Sequence, residues 1–157
     1  MQINPSTCPS LATNAARLKL DSYPVQFELQ TRWSDVTNGH RIGLVSMARY
    51  YEESRTCFLM NINSGKKRSY DKKRGMSFVR QLVIEMLEDV IFPEVLTVGG
   101  GILRIGTTSF SYGFGVFQRG KCVSLSDAVS VLVTESGQPK PLSEEMKTLY
   151  KTMTLRS

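Results

Sequence analysis

From residue 95 to residue 134 the chain alternates large apolar side chains with polar or small ones, interrupted only by two short turns. That pattern leaves it few ways to fold. Residues 95–105 make one run, with the triplet Gly99-Gly100-Gly101 in its middle. Gly106-Thr107-Thr108 turns it into residues 109–118, where Phe110, Tyr112, Phe114 and Val116 alternate with Ser111, Gly113 and Gly115. Arg119-Gly120-Lys121 turns the chain again, into residues 122–134. A period of two with turn residues at this spacing specifies antiparallel strands joined by hairpins. Glycine weakens a strand interior, so the triplet marks a bulge or the close approach of another group.

The first half supplies what such a sheet can pack against. Residues 25–33 alternate Val, Phe, Leu, Thr and Trp with Gln, Glu, Gln and Arg, which reads as a half-buried strand. The turn chemistry of Ser34-Asp35-Val36-Thr37-Asn38-Gly39 ends it. Residues 44–60 then take helical spacing: Leu44, Met47, Tyr51, Ser54 and Phe58 form one stripe, flanked by Ala48 and Arg55. Residues 61–65 favour its termination. Residues 78–87 read as a further strand, and Ser143-Glu144-Glu145 opens a short C-terminal helix with acids in its first turn. One long helix with a run of meandering strands gives an α+β fold, a curled antiparallel sheet wrapped around the helix.

At 157 residues the chain is the size of one domain, assigned here to residues 23–157, with residues 1–22 expected as a flexible leader. The formal charge of +6 is unevenly spread. Residues 65–75 hold Lys66, Lys67, Arg68, Lys72, Lys73 and Arg74 against the single acid Asp71, a net +5, which leaves the rest of the chain at +1. A neutral body argues against a nucleic-acid binder, since such proteins carry broad basic faces. The apolar runs are too short to span a membrane. Cys8, Cys57 and Cys122 are odd in number and widely spaced, and His40 is the only histidine, so zinc sites and Ser-His-Asp chemistry lack parts. That cysteine usage fits a reduced cytoplasm.

Function enters through a set of ordered motifs. Arg32-Trp33-Ser34-Asp35, then Asn38-Gly39-His40, then Arg49-Tyr50-Tyr51-Glu52-Glu53-Ser54-Arg55 resembles the acyl-CoA thioesterases of the hotdog fold, in the 4-hydroxybenzoyl-CoA thioesterase-like group. Leu103-Arg104-Ile105-Gly106-Thr107-Thr108-Ser109-Phe110 is similar to that group's hairpin, and Gly137-Gln138-Pro139-Lys140-Pro141-Leu142 to its exit from the last strand. The resemblance covers about residues 25–150. It implies a helical sausage wrapped by the sheet. It also implies a homodimer or a dimer of dimers with active sites at the subunit interface, and hydrolysis of acyl-CoA or acyl-carrier-protein thioesters. No metal and no separate cofactor is implied, because coenzyme A or phosphopantetheine arrives as part of the substrate.

Thioester hydrolysis needs a carboxylate to attack or to activate water, and donors for the developing oxyanion. By the resemblance, counting without gaps from Gly39 to Arg55, Gly43 takes the position whose backbone N–H polarises the carbonyl. The family's usual acid is the second in an Asp-x-Asp turn. Here the turn is one residue shorter, with Val36 or Thr37 where that acid would stand. Asp35 matches the first acid: the deletion either aims it into the site or leaves it capping the turn. Asn38 and Arg55 offer another route, the Asn and Arg with which some hotdog thioesterases of polyketide pathways hold water, although Arg55 equally fits an ion pair. Glu52 and Glu53 are weaker candidates on the same helix. His40 matches the turn histidine and is expected to line the pocket. Arg104, Thr107, Thr108 and Ser109 on the hairpin are expected to meet the nucleotide phosphates. The basic loop would dock the 3′-phosphate or an acidic carrier protein, or is simply solvated. A missing acid also fits a non-catalytic binder of acyl thioesters.

Overall fold

The strands are β1 (Val25–Gln30), β2 (Met76–Met86), β3 (Val95–Ile105), β4 (Ser109–Gln118) and β5 (Lys121–Val133), with helices α1 (Leu44–Ile62) and α2 (Glu144–Thr152). The computed structural model describes residues 10–62 and 76–156; the basic loop and Cys8 lie outside the described residues. All strand pairs are antiparallel, and the sheet order is β1-β3-β4-β5-β2. The two hairpins set β3, β4 and β5 side by side, so β1 and β2 take the edges.

The sheet curls around α1, and the two faces are complementary in shape. Met47, Tyr50, Tyr51, Ser54, Phe58 and Ile62 recur every three or four residues and form the buried face of the helix. Opposite them β4 presents Tyr112, Phe114 and Val116, while the facing positions of β5 are Ser124, Ser126 and Ala128. Small β5 side chains leave room for an aromatic layer, in which Phe58 stands edge-on to Phe114 with ring centroids 5.7 Å apart. The Tyr51 hydroxyl donates to Ser124 Oγ at 2.7 Å and Tyr112 and Ser130 share a bond of 3.0 Å, while Ser126 Oγ is buried without a hydrogen-bond partner among the described residues. The expected α+β hotdog is the fold observed. The helix runs two residues beyond the expected end at Met60. Leu44, counted in its stripe, is 57% exposed.

The outer face of the sheet explains the glycines. Gly99 lies across from Gly115 and Gly101 across from Gly113, so four side chains are missing from one square of β3 and β4. A Cβ on Gly99 would meet the Tyr23 ring at 2.5 Å, and one on Gly113 would meet the Arg17 guanidinium at 2.8 Å. Part of the stretch expected to be a flexible leader helps to close this square: Arg17 lies over Gly113, while Tyr23 covers Gly99 and Gly115, and Pro24 and Leu155 cover Gly101. Residues 10–22 form three short 3-10 turns, the first two capped by the Ser10 and Asn14 side chains. Arg17 is 4% exposed, pairs with Asp127 at 2.7 Å and donates to the Ser126 and Phe114 carbonyls. Residues 1–9 lie outside the described residues.

Candidate active site

The turn between β1 and α1 is tied down on both sides. Thr31 bonds the Glu94 carbonyl through its amide and its hydroxyl, at 3.0 and 2.7 Å, which anchors the turn to the start of β3. Val36 pairs with Ile42, and Arg41 pairs with Ile91. The Ile42 amide donates to the Val90 carbonyl, and the Phe92 amide to the His40 carbonyl, both at 2.8 Å. Gly39 and His40 are both left-handed, with φ of 65° and 63°. Only glycine adopts that conformation freely, so His40 holds it against its own Cβ, fixed by the bond from Phe92.

Helix α1 starts directly after this clamp. Its first backbone bond runs from the Met47 amide to the Gly43 carbonyl at 3.0 Å. The amides ahead of Met47 have no intrahelical acceptor, and they sit at the positive end of a 19-residue helix. Gly43 is the residue the resemblance put in this role. A Cβ there would meet Thr37 Cγ2 at 2.7 Å, so any larger residue needs the Thr37 side chain to move. Thr37, one of the two residues aligned with the family's acid, covers Gly43 and donates its hydroxyl to the Arg41 carbonyl at 3.0 Å.

Asp35 does not face this surface. Its side chain is 5% exposed, Oδ2 accepts the Tyr50 hydroxyl at 2.8 Å, and Arg49 stands 3.8 Å from Oδ1. The Asp35 carbonyl also accepts from Ser46 Oγ. Burial, then the bond to Asp35, pushes the Tyr50 phenol up to about 12. The carboxylate of Asp35 therefore joins turn to helix.

The other expected residues are spread over the molecule. Asn38 and His40 are exposed on the turn, near Gly43 in the chain. Trp33 is 68% exposed and stands edge-on to His40 and Phe92, at 6.2 and 5.6 Å. Arg55 pairs with Glu52 on its own helix, and this bond holds its guanidinium above the usual arginine range. It lies twelve residues beyond Gly43, about 18 Å along the helix at 1.5 Å per residue, so the two cannot hold one carbonyl within a chain. Glu53 is engaged by Arg32 at 2.8 Å. Arg104, Thr107, Thr108 and Ser109 sit at the far end of β3 and β4. The Thr107 and Thr108 carbonyls accept from Leu142 and Leu132. Because β1 pairs Gln30 with Val95, the turn lies at the opposite end of β3, about 30 Å away at 3.3 Å per residue. One chain brings the hairpin and the turn to opposite ends of the sheet.

Among the described residues no three of His, Cys, Asp and Glu gather as metal ligands. No described helix is long and apolar enough to cross a membrane.

No protein-family model and no curated protein matches the sequence. Solved structures do match. A protein from Pseudomonas aeruginosa is 18% identical with a TM-score of 0.76, over 88% of this chain and 97% of that one. A predicted thioesterase from Bacillus stearothermophilus is 18% identical with a TM-score of 0.73, over 84% and 97%. A thioesterase from Thermus thermophilus, complexed with coenzyme A and Zn, is 18% identical with a TM-score of 0.72, over 85% and 96%. Nearly the whole of each of these chains is matched, so the likeness is one of complete architecture: this protein has the hotdog fold found in those thioesterases.

Proposed function

We infer that the protein hydrolyses acyl thioesters, releasing a free acid and a thiol. The observation that carries this reading is the exposed turn at the start of α1. There Gly43 lies against Thr37, and the first amides of a 19-residue helix have no acceptor within the helix. Such donors stabilise the oxyanion of a tetrahedral intermediate, often the largest single contribution to acyl transfer. The fold, shared with structures named as thioesterases, one of them bound to coenzyme A, supports the substrate class. The thiol is coenzyme A or the phosphopantetheine of a carrier protein, and Arg104, Thr107, Thr108 and Ser109 are its phosphate contacts. Those residues lie a sheet length away from Gly43, so a complete site takes the turn of one copy and the hairpin of another. That arrangement requires a homodimer or a dimer of dimers.

A second reading is a binder of acyl thioesters without turnover. Its support is that Asp35 points at Tyr50 and that a threonine covers Gly43. A thiol-release assay over a panel of acyl-CoA and acyl-carrier substrates separates the two. Turnover is expected. Measurable acyl-CoA binding with no thiol released from any substrate would establish the binder instead.

A further inference from the structure

One face of the sheet packs on α1, and an apolar face on the other side needs a layer of its own. The chain supplies that layer from its N-terminal segment. Residues 10–24 cross the sheet from one edge to the other. At the β2 edge, Ser10 Oγ and the Leu11 amide both donate to the Glu85 carboxylate. Midway, Arg17 pairs with Asp127 on β5 and donates to the Phe114 carbonyl on β4. At the far side the Tyr23 ring lies over Gly99 of β3, and the chain runs on into β1 at Val25.

Beneath this strap the face is built for close approach. Gly99, Gly101, Gly113 and Gly115 leave bare backbone in its middle. Beside them Phe117, Cys122 and Leu125 join Tyr23 and the strap's Leu11, Ala12 and Leu20 in a hydrophobic cluster separate from the core around α1. Outward the strap is polar: Thr13, Asn14, Lys19 and Asp21 are exposed, and Leu18 is the one large apolar side chain it leaves in solvent.

We propose that residues 10–24 reserve this face against a second copy of the chain. An apolar sheet face with side chains missing from its middle is a surface on which another sheet can stack. A strap that crosses every strand and a stacked sheet cannot occupy it together. When the strap is released, two copies meet through the same uncovered patch about a two-fold axis. When it is docked, assembly is confined to the strand edges and the helix side. This goes beyond the thioesterase reading and stands whether or not the protein releases thiols.

The test is the mass of the full-length protein and its variants by sedimentation velocity, with amide hydrogen exchange reporting on the strap. Lys19→Glu and Asp21→Lys alter only the exposed side of the strap, so the wild-type mass is expected in both. A fall in mass with either would show that the strap is itself an interface, and would overturn the proposal. Arg17→Glu sets a second carboxylate against Asp127 and unhooks the strap. Amides of residues 10–22 should then exchange freely while those of α1 stay protected, because the two clusters are separate. With the face bare, the mass should rise about twofold over the wild-type value as the protein is concentrated. Leu11→Asp, placed beside Glu85, frees the β2 end alone and should give the same rise at higher concentration. A strap that exchanges freely in these variants while the mass stays at the wild-type value would also sink the idea.

Discussion

The molecule contains two clusters of the same composition, each an aspartate with a tyrosine and an arginine, built to opposite ends. On the outer face of the sheet, Asp127 pairs with Arg17 at 2.7 Å, and Tyr23 donates to the Arg17 carbonyl while accepting from its Nε. Arg17 and Tyr23 are 4% and 1% exposed, sunk into the square of glycines. At the start of α1, Asp35 holds the Tyr50 hydroxyl, but its arginine, Arg49, is 70% exposed and stands 3.8 Å off. In the first cluster the arginine is the buried member and the aspartate is partly open; in the second the aspartate is buried and the arginine is loose. The outer cluster closes a surface. The inner one keeps a turn in place and leaves the surface beside it open.

The largest effect that tests this contrast is Arg17→Ala. It removes the pair to Asp127 and bonds to two strand carbonyls, and opens a hole over Gly113. Breaking a buried pair by removing one partner costs about 3–5 kcal/mol, and the partial exposure of Asp127 lowers that to roughly 2–4 kcal/mol. Chemical denaturation measures it directly. A cost below about 1 kcal/mol would mean that the outer cluster is no tighter than the inner one.

Next in size is the response to alkali. Burial pushes the Tyr23 phenol up to about 12, against the opposing pull of Arg17, and pushes Tyr50 up to about 12, with Asp35 adding to the rise. Both phenols are neutral in the fold and ionise more readily in the unfolded chain. Their contribution is complete below about pH 10 and is lost as the pH climbs from 10 towards 12. Tm measured between pH 9 and about 12 should fall for the wild-type protein. The fall should be shallower in Tyr23→Phe and in Tyr50→Phe, because each substitution removes one such group. An unchanged slope in Tyr50→Phe would show its phenol to be as solvated as an ordinary tyrosine.

These clusters also mark how far the sequence could be read. The meander, the long helix and the fold class were legible because hydrophobic period and turn residues are local properties. Counting along a motif singled out Gly43, and the structure places it one residue before α1. Arg17 was not legible, because a short polar stretch has no period to betray it. Its signal lay in the glycines, of which the sequence marked Gly99-Gly100-Gly101 as a bulge or a close approach without deciding between them. Only the register, which sets Gly99 against Gly115 and Gly101 against Gly113, turns two glycine-rich strands into one socket. Asp35 was found but its direction was not, since that depends on Tyr50, which lies beside the expected stripe.

The smallest effect is the most informative about the open end. Arg49→Ala should change stability by less than about 0.5 kcal/mol, because an exposed arginine 3.8 Å from its partner gains little over water. The carboxylate of Asp35 is then held by Tyr50 alone, and the turn should keep its geometry, with thiol-release rates unchanged. Added salt should make little difference either, since the contact contributes so little to begin with. A cost approaching that of Arg17→Ala would mean that Arg49 folds down onto Asp35 in solution. The inner cluster would then be closed as the outer one is, and the surface beside Gly43 would be narrower than its bare turn suggests.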